Sequence, residues 1–128
     1  MSKNILQIVE TAYRATLEEQ DDPVLWLATS LKGNGVTLDV LLRGNAVNYL
    51  VRDQDATGLQ FGGRRQTQPP RLARDVETLI GKGAAVYYLE EDLRARGIRR
   101  TEIIDGARPI ATHGLIELVE SYDQVWNW

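Results

Sequence analysis

Cysteine is absent from the 128 residues. Disulfides, thiolate nucleophiles, zinc fingers and iron–sulfur clusters are therefore excluded. Histidine occurs once, as His113. No HExxH spacing accompanies it, so no catalytic metal centre is expected. Gly62-Gly63 is too short for a phosphate loop, and neither a GxGxxG run nor a Walker-type lysine is present. No cofactor is expected on these grounds. No apolar run approaches the ~20 residues that span a bilayer, so no membrane association is expected. Met1-Ser2-Lys3-Asn4 leads straight into a strand-like segment, with no charged stretch followed by a long apolar one. No signal peptide and a cytoplasmic location are the expectation. Excess positive charge is missing too: net charge is -3 and the pI near 5.2. That balance opposes nucleic-acid binding, which draws most of its affinity from a basic face.

What is present is ordinary globular material, 43% hydrophobic and 26% charged, in a length that suits one domain, 1–128. Asn4 to Val9 reads as a short buried strand. A polar loop, Glu10 to Gln20, follows. Asp22-Pro23 is a helix start, and Val24, Leu27, Ala28 and Leu31 fall on one helical face. Val36 to Leu42 is a second strand, followed by Gly44-Asn45 and a short helix through Val51. Arg52 to Gln68 reads as a long loop, a kind that is often functional. Pro69-Pro70 opens a helix with Leu72, Val76, Leu79 and Ile80 on one face. Ala84 to Leu89 is a third strand with Glu90-Glu91-Asp92 at its end. A helical turn from Leu93 to Arg96 stops at Gly97, and Thr101 to Asp105 suggests another turn. Ala107 to Ile110 suggests a strand that Pro109 confines to an edge. Thr112 is positioned to cap a last helix through Ser121, burying Leu115, Leu118 and Val119, and Asp123 to Trp128 is a final strand. Strands alternating with helices predict an α/β fold: a three-layer sandwich, its mostly parallel sheet of 4–5 strands flanked by helices.

Several polar groups fall at predicted strand ends, where open α/β sheets bind ligands. Glu90, Glu91 and Asp92 could hold a cation or supply a base. The plainer reading is a helix start whose acidic residues suit the macrodipole. Arg52, Arg64, Arg65 and Arg71, with Arg43 and Asn45, form an arginine set suited to a small anion. Its plainer reading is a solvated loop. His113, at a helix start, could serve as a neutral partner or base, or be structural. Trp126 and Trp128 point to one side of the last strand, and Tyr87 and Tyr88 to opposite faces of the third. Tyr88, Trp126 and Trp128 are interface candidates, aromatics being enriched at interface hot spots.

The third strand, then Leu93-Arg94-Ala95-Arg96-Gly97-Ile98, Glu102-Ile103-Ile104-Asp105-Gly106, a helix and an aromatic-rich last strand resemble the C-terminal half of DsrE/DsrF-like sulfur-relay proteins, the TusD/YchN-like group. Val36 to Leu42 followed by Arg43-Gly44-Asn45-Ala46-Val47 resembles that family's second strand and glycine turn. The resemblance implies a compact α/β domain that assembles with itself or with a cysteine-bearing relative, in sulfur relay or sulfur oxidation. In that family the persulfide cysteine follows the third strand. Here the corresponding stretch is Leu89-Glu90-Glu91-Asp92, and a carboxylate forms no persulfide. A non-catalytic subunit or binding module is expected. The alternative is a small enzyme or anion-binding protein using the arginine loop, the acidic residues and His113.

Overall fold

The computed structural model describes residues 3–12, 23–54, 60–65 and 71–128. Five strands form one parallel sheet: β1 (Ile5–Val9), β2 (Leu38–Leu42), β5 (Val86–Leu89), β6 (Arg108–Ile110) and β7 (Gln124–Asn127). Their spatial order is β6-β5-β2-β1-β7. A separate two-stranded antiparallel sheet pairs β3 (Gln60–Phe61) with β4 (Arg64–Arg65). The helices are α1 (Pro23–Gly33), α2 (Leu72–Gly81), α3 (Glu90–Ala95) and α4 (Leu115–Glu120). Three 3₁₀ turns complete the list, over Gly44–Leu50, Arg100–Glu102 and Thr112–Gly114. The α/β sandwich expected from the alternation is found, with all five strands parallel. No described helix is long and apolar enough to cross a membrane.

The two faces of the sheet are covered unequally. Ile5, Val9, Leu38, Val40, Leu42, Val86 and Tyr88 join one large core with residues of α1, α2, α3 and the first 3₁₀ turn. The opposite face is smaller: Leu6, Ile8 and Leu41 pack with Tyr87, Leu115, Leu118, Val119 and Tyr122. Every residue of β1 is therefore buried, as a central parallel strand requires. Pro109 lies in β6 at the sheet's edge, where a residue without an N–H is tolerated. Trp128 extends the last ladder: its N–H donates to the Ile8 carbonyl at 2.8 Å, and its carbonyl accepts from Glu10 N–H at 2.9 Å.

Some local expectations shift. On α1 the buried residues are Val24, Leu25 and Ala28, while Leu27 is half-buried and Trp26 stands 59% exposed. The helix is rolled toward Leu25 and away from Leu27. The stretch from Arg52 is not all loop, since Gly62-Gly63 turns the β3–β4 hairpin with Gly62 at a φ of 58°. Thr112 does not cap α4, whose N-cap is Gly114 with no side-chain bond. Leu115, Leu118 and Val119 are half-buried, because α4 is the lone helix packed on its face of the sheet among the described residues. The expected Asp22 cap and the Pro69-Pro70 helix start lie outside the described residues, as does most of the Glu10–Gln20 loop.

One buried polar side chain interrupts the large core. Gln7 is fully buried, and its Nε2 donates to the Val24 carbonyl at 3.5 Å. Its Oε1 has no hydrogen-bond partner among the described residues. A buried acceptor without a partner costs about 1–3 kcal/mol. Gln7→Leu is expected to raise stability by roughly 1 kcal/mol or more in urea unfolding, and a loss of stability would show that the amide does work not visible in its contacts.

The opposite face carries a satisfied polar group. Asp39 on β2 accepts the Ala85 N–H at 2.7 Å and the Tyr122 hydroxyl at 2.5 Å. This carboxylate ties the end of α4 to β2 and to the entry of β5. Burial first, and then the bond to Asp39, push the Tyr122 hydroxyl above its usual pKa. The neutral form is thus favoured in the fold, so this contribution is complete below pH ~10 and falls as pH rises beyond it. The alkaline slope of stability is expected to flatten in Tyr122→Phe, measured by denaturant unfolding between pH 8 and 11. An unchanged slope would assign it to other tyrosines.

Candidate functional site

The carboxyl ends of β1, β2 and β5 lie side by side, because β2 pairs with both of the others. The turn leaving β2 and the helix leaving β5 therefore meet. Gly44 begins the turn at a φ of 57°, and a Cβ there would lie 3.2 Å from the Glu10 carbonyl. Only glycine fits both the conformation and the approach. The turn then presents the Gly44 N–H to α3, where the Asp92 carboxylate accepts it at 2.7 Å. Arg43 points the other way, its Nε 3.6 Å from a Glu10 carboxylate oxygen.

Arg96 completes the junction. Its Nε and one terminal nitrogen donate to Asn45 Oδ1 at 3.1 and 2.9 Å. The other terminal nitrogen donates to the Asp92 backbone carbonyl at 3.1 Å. Asp92 and Arg96, one helical turn apart, thus grip the turn after β2 from both sides.

The other two carboxylates of the acidic cluster point elsewhere. Glu90 pairs with Arg94 at 3.6 Å and with Arg100. Glu91 reaches toward the end of β6, where both of its oxygens lie 3.1 Å from the Thr112 N–H. Its own backbone N–H first, then that of Thr112, hold its carboxyl below the usual carboxylate range. Three adjacent carboxylates therefore serve four different residues. No group of three metal-ligating side chains gathers among the described residues. This is the plainer reading of the cluster, a helix start with its acids engaged.

Of the residues singled out in the sequence, Arg43, Asn45, Glu90 and Asp92 are brought to one end of the sheet. Arg52 lies at its margin, donating to the Thr101 carbonyl. Arg64 and Arg65 are exposed on the β3–β4 hairpin, outside this hydrogen-bond network. Arg71 is the exposed N-cap of α2. His113 is exposed on the 3₁₀ turn after β6, next to the Thr112 that Glu91 holds. Tyr88 is 2% exposed and belongs to the large core, which removes it from the interface candidates. Alternation sends it inward with Val86, whereas Tyr87 faces the thinner layer, beneath the Arg108 guanidinium at 5.9 Å. Trp126 is half-buried against the large core, while Trp128 is 39% exposed and Val125 40%. Sequence reasoning missed Arg96 as a site residue. Its four-residue spacing from Asp92 was the available signal.

A family model described as DsrH like protein matches residues 66–125. No curated protein sequence matches the chain. The fold is similar to that of the YchN protein from E. coli, with a TM-score of 0.73, 20% identity, and 98% of this chain and 99% of that one covered. It is also similar to the protein of unknown function MTH1491 from Methanobacterium thermoautotrophicum, with a TM-score of 0.62, 15% identity, and 98% and 99% covered. A third likeness is the conserved protein of unknown function BT1422 from Bacteroides thetaiotaomicron, with a TM-score of 0.68, 13% identity, and 98% and 95% covered.

The Glu91 contact gives a direct test. Its contribution is present above the usual carboxylate value of 4.5 and is lost as pH falls through a lower one. The Thr112 amide resonance is expected to titrate with a midpoint below 4.5, and Glu91→Ala to abolish that titration. A midpoint at or above the usual value would mean the contact is not held in solution.

Proposed function

We propose that this chain, which resembles the DsrE/DsrF-like family, is a non-catalytic subunit, one that assembles with itself or with a cysteine-bearing relative on a fold related to sulfur relay. The observation that carries the reading is the stretch after β5. Where the family resemblance puts a sulfur-carrying cysteine, this chain has Leu89-Glu90-Glu91-Asp92. A carboxylate cannot take up sulfane sulfur. Each of the three acids is also engaged in holding neighbouring elements, Glu90 to Arg94 and Arg100, Glu91 to Thr112, and Asp92 to Gly44. The stretch works as a joint between β2, β5 and β6, which supports a structural role for it.

Assembly is supported at the other edge of the sheet. Among the described residues β7 pairs only with β1, and no strand is paired on its outer side. Val125 and Trp128 stand exposed there beside half-buried Trp126. Apolar and aromatic side chains along an unpaired strand are the features that interfaces use. A cytoplasmic place in sulfur relay or sulfur oxidation fits this role, with neither nucleic acid nor membrane as partner. The small-enzyme reading has less behind it, since no hydrogen bond or ion pair among the described residues joins Arg64, Arg65 or His113 to Asp92.

Native mass spectrometry of the protein drawn gently from its own cells tests the proposal. The expected species is a complex with a cysteine-bearing relative, or a homo-oligomer. A strict monomer at high concentration would overturn it. Val125→Lys with Trp128→Ser is expected to shift the assembly to smaller species while leaving the circular dichroism spectrum unchanged.

A further inference from the structure

The arginines around the carboxyl end of the sheet are not equivalent. Arg43 faces Glu10, Arg94 and Arg100 share Glu90, and Arg99 pairs with Glu102 at 3.1 Å. Arg96 differs from all four. Its three contacts go to an amide oxygen and a backbone carbonyl, both uncharged. The nearest acid in sequence, Asp92, turns its carboxylate to the Gly44 N–H instead. Arg96 is also solvent-exposed.

A guanidinium has five N–H donors in a fixed plane. Three are engaged here, and two remain. The side chain is held on two sides, by Asn45 from the turn after β2 and by Asp92 from its own helix. Much of the rotamer entropy that binding an anion would cost has therefore been spent in folding. The result is an oriented, exposed cation with no carboxylate of the described residues in contact with it. This is the arrangement that recognises two oxygens of one anion. It stands at the carboxyl ends of parallel strands, where open α/β sheets take their ligands.

We propose that Arg96, positioned by Asn45 and the Asp92 carbonyl, binds a small oxyanion through its two remaining N–H groups. The ligand class is a carboxylate or a tetrahedral oxyanion of sulfate size. Asn45 is the positioning residue. Its uncharged oxygen holds the guanidinium without neutralising it. The site is independent of the assembly reading: a chain that oligomerises and ignores anions would overturn this inference alone.

The test uses the intact protein and the side-chain Nε–Hε resonances of its arginines, with sodium acetate and sodium sulfate titrated at constant ionic strength against chloride. Arg96 is expected to shift saturably with at least one of the two salts, and which one responds distinguishes a planar from a tetrahedral ligand. Arg99 serves as the internal control for surface screening. Asn45→Asp then separates binding from structure. The aspartate keeps the acceptor oxygen, so the thermal midpoint should hold or rise, while the added charge should weaken anion binding by about tenfold or more. Arg96→Lys keeps the charge, loses the fork and should also bind weakly. No saturable shift with either salt, a shift of Arg96 in step with Arg99, or undiminished binding in Asn45→Asp would each overturn the proposal.

Discussion

A parallel sheet has to be covered on both faces, and this chain meets that requirement with very unequal resources. One face receives α1, α2, α3 and a 3₁₀ turn, and the other receives α4. Strand β1, buried along its whole length between β2 and β7, is the member on which both layers depend. The large core tolerates an unpaired amide oxygen at Gln7. The thin layer has less apolar surface to bury and uses a directed polar link instead, Tyr122 to Asp39 to the Ala85 N–H. Loss of a hydrogen-bonded partner costs more per group than loss of a methylene, so the thinner side is the one with more to lose from a single polar change.

The end of the sheet that faces outward is organised on similar lines. Its charged residues act mostly as fasteners. Asp92 and Arg96 hold the turn after β2, Glu91 holds the turn after β6, and Glu90 gathers two arginines from the segment that follows. Exposed ion pairs contribute little each. The bonds from carboxylates to backbone N–H groups at Gly44 and Thr112 are of the stronger, charge-assisted kind. The residues that hold the site's shape are thus Asp92 and Glu91, while the arginine pairs around Glu90 mainly balance charge.

Much of the fold was legible because its signals are local. Buried strands such as Ile5–Val9 read as short, mostly apolar runs, and Pro109 announced an edge. The helical face of α2 followed from the spacing of Leu72, Val76 and Leu79. The roll of α1 toward Leu25 was not legible, since Leu25 and Leu27 flank the same stripe and tertiary packing chooses between them. The Gly62-Gly63 hairpin was missed because its strands are two residues each and exposed, too short for periodicity to register. At the site, the sequence identified Asn45 and Asp92 and left out Arg96. Which carboxylate faces which donor depends on β2 and β5 lying side by side, a contact between residues some 46 to 51 positions apart in sequence. Tyr88 was misread as an interface residue for the same reason: whether a strand's odd or even side meets the thick layer is decided by the sheet's partners.

The proline of β6 has a consequence beyond its own strand. At that rim of the sheet Pro109 offers no N–H to an incoming strand, and its ring obstructs one. The β7 rim has no proline and ends in tryptophan. The two rims are therefore unlike, one closed and one receptive. A copy that docks rim to rim through β7 leaves only closed rims facing outward. In such a pair the growth of the sheet would stop at two copies.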